Sequence, residues 1–319
     1  MSDQVISTEP EASVTQETET VQEKQERGFI RTLYWPTLGF LIAMAIFPLL
    51  FSIGISLTNY TLAMPGTKFI WFQNYVDIFA SGDMVRSGWV TVRFTVFAVA
   101  IEMVLGILIA LVLNEKIPGT GLVRVIVILP MMLAPMVVGL FWRFLLDQTF
   151  GMVNYVLGLI GIPPVAWFVV PQNAMAAIIL VDVWQWTPFV VLLVVAALGT
   201  IPVDLKEAAT LDRASMWMKF RQIYWPYLRF PILFAFLFRL IDSLKMFDLA
   251  YALTGGGPGD LTATVSLIAY YYSFQYFKIG RASAMSWILV IVIIIIVNIL
   301  LQVLMPGKKK EEEVVSTGL

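Results

Sequence analysis

Six stretches of apolar residues, each near the ~20 residues a helix needs to cross a bilayer, constrain this chain more than any other feature. They run from Leu33 to Leu57, Val90 to Leu113, Val125 to Leu146, Ala174 to Leu198, Pro231 to Ala252 and Ala282 to Met305. In hydrocarbon each backbone N–H and C=O must find its partner within the protein, which a helix provides and an open strand does not. All six stretches are therefore expected to be transmembrane helices of an all-α membrane protein. Pro48, Pro130, Pro135 and Pro188 lie inside them, a placement that membrane helices tolerate better than soluble ones.

Composition supports the same reading. Hydrophobic residues make up 59% of the chain and charged residues only 13%, about half the charged share of a soluble domain. That is too little charge to coat a soluble surface, so the apolar side chains must face lipid. The chain has neither cysteine nor histidine. Disulfides, thiolate chemistry and the usual ligands of zinc, haem and iron–sulfur groups are thereby excluded, and His-based proton transfer with them. No cofactor is expected. A net charge of −1 gives no electrostatic reason to expect nucleic acid as a partner.

Orientation follows from lysine and arginine in the connecting segments. One side holds Lys24, Arg27, Arg31, Lys116, Arg124, Lys206, Arg213, Lys219, Arg221, Arg229 and Lys308 to Lys310; the other holds Lys68, Arg86 and Lys278. The asymmetry predicts that both termini are cytoplasmic. Residues 1–28 are acidic and poor in large apolar side chains, which predicts a disordered tail. Residues 29–306 form the six-helix domain, and 307–319 a second charged cytoplasmic tail.

The one long cytoplasmic loop, residues 200–229, is patterned. Ala208, Ala209, Leu211 and Ala214 recur at helical spacing, with Glu207 and Asp212 beside them. Trp217, Phe220, Ile223 and Tyr224 repeat at threes and fours, as in a second amphipathic helix. Periodicity alone leaves two readings open: a helix on the lipid headgroups, or a surface of small side chains that lets another protein approach closely.

The residues themselves carry a resemblance. The run EAATLDRASMWMKF, followed by IYWPYL, resembles the EAA loop of binding-protein-dependent importer permeases, where it forms coupling helices that seat in the ATPase subunit. The resemblance places Glu207, Ala208 and Ala209 at the start of the motif, Asp212, Arg213 and Ala214 in its middle, and Pro226 at its close. Arg213 stands where the family usually has glycine, a position suited to positive φ. A second segment, LTGGGPGDLTATVSLIAYYYSFQYFKIGRASAMS from Leu253 to Ser286, resembles the stretch joining the last two helices of carbohydrate-uptake permeases. Its run Thr254–Pro258 is typical of the first of two paired permeases in maltose-, glycerol-phosphate- and lactose-type systems.

The resemblance covers about residues 30–305. It implies a type I ABC importer permease in a prokaryotic inner membrane, moving a sugar or sugar derivative. The partners it implies are a second permease, two cytoplasmic ATPase subunits and an extracytoplasmic binding protein.

Sugar recognition needs flat apolar rings and groups that orient hydroxyls. The fourth apolar stretch offers Asp182, Trp184, Gln185 and Trp186; Asp182 and Trp186 share a face at i,i+4. Placement of the tryptophans in an interfacial belt is the competing account. The fifth stretch carries Arg239, Asp242, Lys245 and Asp248 at three-residue spacing with alternating sign. Charges in hydrocarbon are costly, so these are expected to face the interior and neutralise one another, as an ion ladder, a hydrophilic wall of the pathway, or both. Arg143 is expected to pair with Asp147 at the outer edge, and Glu102 has no evident role.

No GxxxxGK[ST] pattern occurs, so ATP hydrolysis by a P-loop is not expected of this chain. A secondary transporter driven by an ion gradient is the alternative, but such folds usually carry internal repeats, and none is visible here. A membrane enzyme is disfavoured by the missing His and Cys and the sparse carboxylates.

Overall fold

The computed structural model describes residues 9–62, 66–114 and 119–304. Lys116 and the charged tail expected at 307–319 lie outside the described residues. Helices dominate, and the only strand-like feature among the described residues is an isolated antiparallel bridge between Thr58 and Phe69. The chain divides into two compact units, residues 1–55 and 56–319.

The described residues of the first unit form a single helix, α1 (Glu9–Ser56), which runs on to the first residue of the second unit. It begins well inside the stretch expected to be a disordered tail. Glu, Gln, Lys and Ala are good helix formers, so the polar stretch extends the helix that the apolar one nucleates. Residues 34–56 are long and apolar enough to cross a membrane.

The second unit contains α2 (Gln73–Ala80), α3 (Asp83–Leu113), α4 (Thr120–Ile128), α5 (Pro135–Leu145), α6 (Met152–Leu159), α7 (Pro171–Gly199), α8 (Val203–Leu211), α9 (Met216–Lys219), α10 (Trp225–Leu244), α11 (Val265–Tyr270) and α12 (Ile279–Leu304). Helices α3, α7 and α12 each have the length and hydropathy of a continuous span. The stretch expected as one helix over 125–146 is folded instead. A short 3-10 turn, Leu129–Met132, follows α4, and the chain bends by 100° before α5. Pro130 and Pro135 contribute to this: each lacks an N–H, and Pro135 drives the residue before it out of the helical region. Ala134 is accordingly extended, with ψ at 131°.

The stretch over 231–252 is also interrupted. Helix α10 stops at Leu244, and the chain closes a tight turn through Lys245 N–H to the Asp242 carbonyl (3.1 Å) and Met246 N–H to the Ser243 carbonyl (3.2 Å). A π-helical turn, Ala250–Thr254, follows and ends at Gly255 with φ of 57°. Glycine adopts this left-handed conformation without the Cβ penalty.

The centre of the unit is α3 packed along α7, with α10 against both. Lipid offers no hydrophobic reason for helices to associate, so close packing and polar contacts must do it. Small residues provide the approach. Ala98, Ala110, Ala174 and Ala177 are fully buried, and a Cβ at Gly106 would lie 2.5 Å from Val190 Cβ. The apolar layers around Phe94, Ile178 and Leu253 on one side, and around Val190, Val194 and Leu228 on the other, enclose a polar level between them.

Candidate functional site

That polar level is built on Arg239 of α10. Its side chain is 0% exposed and reaches three carboxylates on three helices. Nε and Nη2 donate to the two oxygens of Glu102 on α3, at 2.7 and 2.9 Å. Nη2 also donates to Asp182 on α7 at 2.8 Å, and Nη1 to Asp242 on its own helix at 2.7 Å. The guanidinium carbon lies 4.8 Å from the centre of the Trp186 ring. A planar, permanently charged fork suits such a multiple role. Glu102, without a role in the sequence reading, is its bidentate partner.

The expected ladder along the fifth stretch ends after one rung. Arg239 pairs with Asp242 at i,i+3, but the helix breaks before Lys245 and Asp248, which make no ion pair among the described residues. These two line a cavity of about 250 Å³ at the break, together with Pro135, Asp182, Trp186, Asp242, Ser243 and Phe247. Ser243 is only 1% exposed, and its Oγ has no hydrogen-bond partner among the described residues. A buried hydroxyl without a partner costs free energy unless something fills the role. The Asp242 carboxylate is 40% exposed while holding Arg239. Asp182, Trp186, Asp242, Lys245 and Asp248 are thus brought together.

Trp184 and Gln185 are not part of that lining. Trp184 packs edge-on against Trp142 of α5, with ring centres 5.5 Å apart. Gln185 is buried, and its Nε2 donates to the Leu133 carbonyl at 3.0 Å. That carbonyl sits at the proline fold, where the interrupted helix leaves backbone groups to be satisfied by a neighbour. Gln185 therefore holds the bend. Arg143 and Asp147, expected to pair, have other partners: Arg143 Nη1 donates to the Ala252 carbonyl (3.4 Å), and Asp147 Oδ1 accepts from the Thr149 and Phe150 amides.

The loop at 200–229 forms a second feature. Helix α8 ends in a Schellman motif: the Ala214 N–H bonds the Ala209 carbonyl (2.9 Å) and the Arg213 N–H bonds the Thr210 carbonyl (3.1 Å). The residue after the cap must then be left-handed, and Arg213 takes φ of 51°. The bend that glycine would favour is formed by arginine nonetheless. Glu207, Ala208 and Asp212 are exposed, whereas Ala209 is buried and so does not join the small-residue surface. Leu211 is 84% exposed. The second helix expected here is the four-residue α9, continued by a π-helical turn, Phe220–Tyr224, directly into α10. Asn114, Val203, Lys206, Glu207, Thr210, Leu211, Lys219 and Tyr224 line a concavity of about 630 Å³.

Known proteins resemble this chain over most of its length. Residues 102–310 match the family of binding-protein-dependent transport system inner membrane components. A probable ABC transporter permease of Sinorhizobium fredii is 39% identical over 84% of this chain and 88% of its own length. The trehalose/maltose transport system permease protein MalF of Thermococcus litoralis is 36% identical over 83% of this chain and 90% of the relative. The fold resembles a chain of a bacterial ABC transporter involved in the import of the acidic polysaccharide alginate, with TM-score 0.78 and 22% identity over 91% of this chain and 99% of that one. This protein belongs to the binding-protein-dependent transport system inner membrane components, the membrane-embedded permeases of ABC importers.

Proposed function

We propose that this chain is the sugar-conducting permease subunit of an ATP-binding-cassette importer in a prokaryotic cytoplasmic membrane. It crosses the membrane six times, with the folded 125–146 stretch and the broken 231–252 stretch each completing a crossing, and both termini are cytoplasmic. It pairs with a second, homologous permease and receives its cargo from an extracytoplasmic binding protein. The sugar assignment is supported by relatives named for trehalose/maltose and, at 31% identity, sulfoquinovosyl glycerol transport.

The observation that carries this reading is the cavity at the break in the fifth stretch. Asp182, Asp242 and Asp248 accept hydrogen bonds from sugar hydroxyls there, Lys245 donates, and Trp186 supplies a flat ring. Its ~250 Å³ lies just below the range of about 300–1,000 Å³ usual for ligand pockets, which suits one sugar ring at a time. Broken helices at membrane depth are tolerated where they line such a cavity.

Residues 200–229 couple this site to two ATPase subunits. Glu207, Ala208, Asp212 and Arg213 form the contacting face, while the buried Ala209 and the partly buried Ala214 fix the loop's bend. The test is reconstitution of the chain with its partner permease, ATPase and binding protein in proteoliposomes. Sugar accumulation that requires ATP and ignores ion gradients supports the reading; accumulation driven by an ion gradient without ATP overturns it.

A further inference from the structure

The cavity at the break of α10 has an unbalanced wall. Arg239 is fully buried, donates to Glu102, Asp182 and Asp242, and lies over the Trp186 ring. Its charge is engaged behind the wall rather than offered to an occupant. What lines the space is Asp182, Asp242 and Asp248, with Lys245 as the one cation among them.

A neutral polyhydroxy ring suits such a wall. Its hydroxyls donate to the carboxylate oxygens and accept from Lys245. A carboxylate or sulfonate brought into the same space meets the like charges of Asp242 and Asp248 in surroundings that screen it poorly. Lys245, the one cation lining the space, shares that wall with three aspartates.

We infer that this cavity selects by charge, admitting neutral pyranosides and rejecting sugars that carry an acidic group. The inference rests on the reading of the cavity as the sugar site and deepens it. Asp242 and Asp248 are the residues that set the rejection, and Lys245 limits it.

The experiment compares two probes that differ only at C6, methyl glucoside and methyl glucuronide. Equilibrium dialysis of each, radiolabelled, against the membrane complex of this chain with its partner subunits in nanodiscs gives the ratio of their dissociation constants. The glucoside is expected to bind at least tenfold more tightly. Asp248→Asn should narrow that ratio at least threefold, and Lys245→Gln should widen it. Opposite movements in the two variants cannot come from loss of folding, which would weaken both probes together. Glucuronide binding as tight as glucoside, or a ratio that both variants leave unmoved or shift in the same direction, overturns the charge selection and leaves the sugar site standing. Failure of both probes to bind overturns the sugar site itself, and the charge selection with it.

Discussion

Arg239 and Glu102 stand 137 residues apart in the chain, yet the guanidinium meets both carboxylate oxygens, at 2.7 and 2.9 Å, with each side chain wholly buried. This pair joins α3 to α10, and Asp182 brings α7 into the same junction. The centre of the bundle is therefore tied at one ionic level, directly beside the cavity. Such a tie does not measure net stability, since burying the charges is itself costly, but breaking it by removing one partner is expensive.

Replacing Glu102 by Gln keeps the shape and removes one charge from the junction. Loss of one partner of a buried pair typically costs about 3–5 kcal/mol. Arg239→Met should be worse, because it strands three carboxylates, whereas Glu102→Gln leaves Arg239 paired with Asp182 and Asp242. The thermal melting of the purified complex should fall in the order wild type, Glu102→Gln, Arg239→Met; an unchanged melting point in Arg239→Met would show the junction to be unimportant.

At Arg213 the expected effect has the opposite sign. A non-glycine residue at φ of 51° bears a left-handed penalty of about 1–2 kcal/mol, which glycine lacks. Arg213→Gly is therefore expected to stabilise the end of α8 by about 1 kcal/mol, less the extra freedom glycine gains in the unfolded chain. Hydrogen exchange of the Arg213–Ala214 region, read at residues 209–214, should slow. Faster exchange would indicate that the arginine side chain holds the bend by contacts of its own.

The approach of α3 to α7 depends on Gly106. Any Cβ there falls 2.5 Å from Val190 Cβ, so Gly106→Val forces the helices apart. Overpacking of this kind costs about 1–3 kcal/mol, and Val190→Gly in the same chain, which removes that Cβ, should recover part of it. Melting of the single and double variants checks the pairing, since independent sites would simply add.

The loop at 200–229 makes a separate prediction. Glu207 is exposed on α8 beside the 630 Å³ concavity, so Glu207→Lys should leave membrane insertion intact while reversing the charge offered to a partner. Co-purification of the ATPase subunit should drop and ATP-driven uptake should be lost. Normal uptake in this variant would remove the loop from the coupling path.

Local pattern made some of this site legible and left the rest hidden. Asp182 and Trp186 lie four apart on one helix, and spacing alone put them on one face; they line the same cavity. The strain at Arg213 was also readable, because a family glycine names the conformation a position needs. Spacing failed for the charged run over 239–248, since it assumed an unbroken helix, and the chain turns at Lys245. Glu102 gave no local signal at all: its partner is far along the chain, and only the packing of α3 on α7 and α10 brings them together. Gln185 looked like a sugar ligand because an amide in an apolar helix fits that role equally well. Its task at the Leu133 carbonyl arises from the fold at Pro130 and Pro135, which apolar composition does not reveal.

The most direct test of the account uses Asp248. It lines the cavity and holds no ion pair among the described residues, so Asp248→Asn strands no buried cation and leaves the Arg239 junction intact. ATP-dependent sugar uptake by proteoliposomes containing the complete transporter should fall at least tenfold in this variant, with assembly and melting temperature unchanged. Uptake at the wild-type rate would contradict the assignment of the cavity to the translocation path.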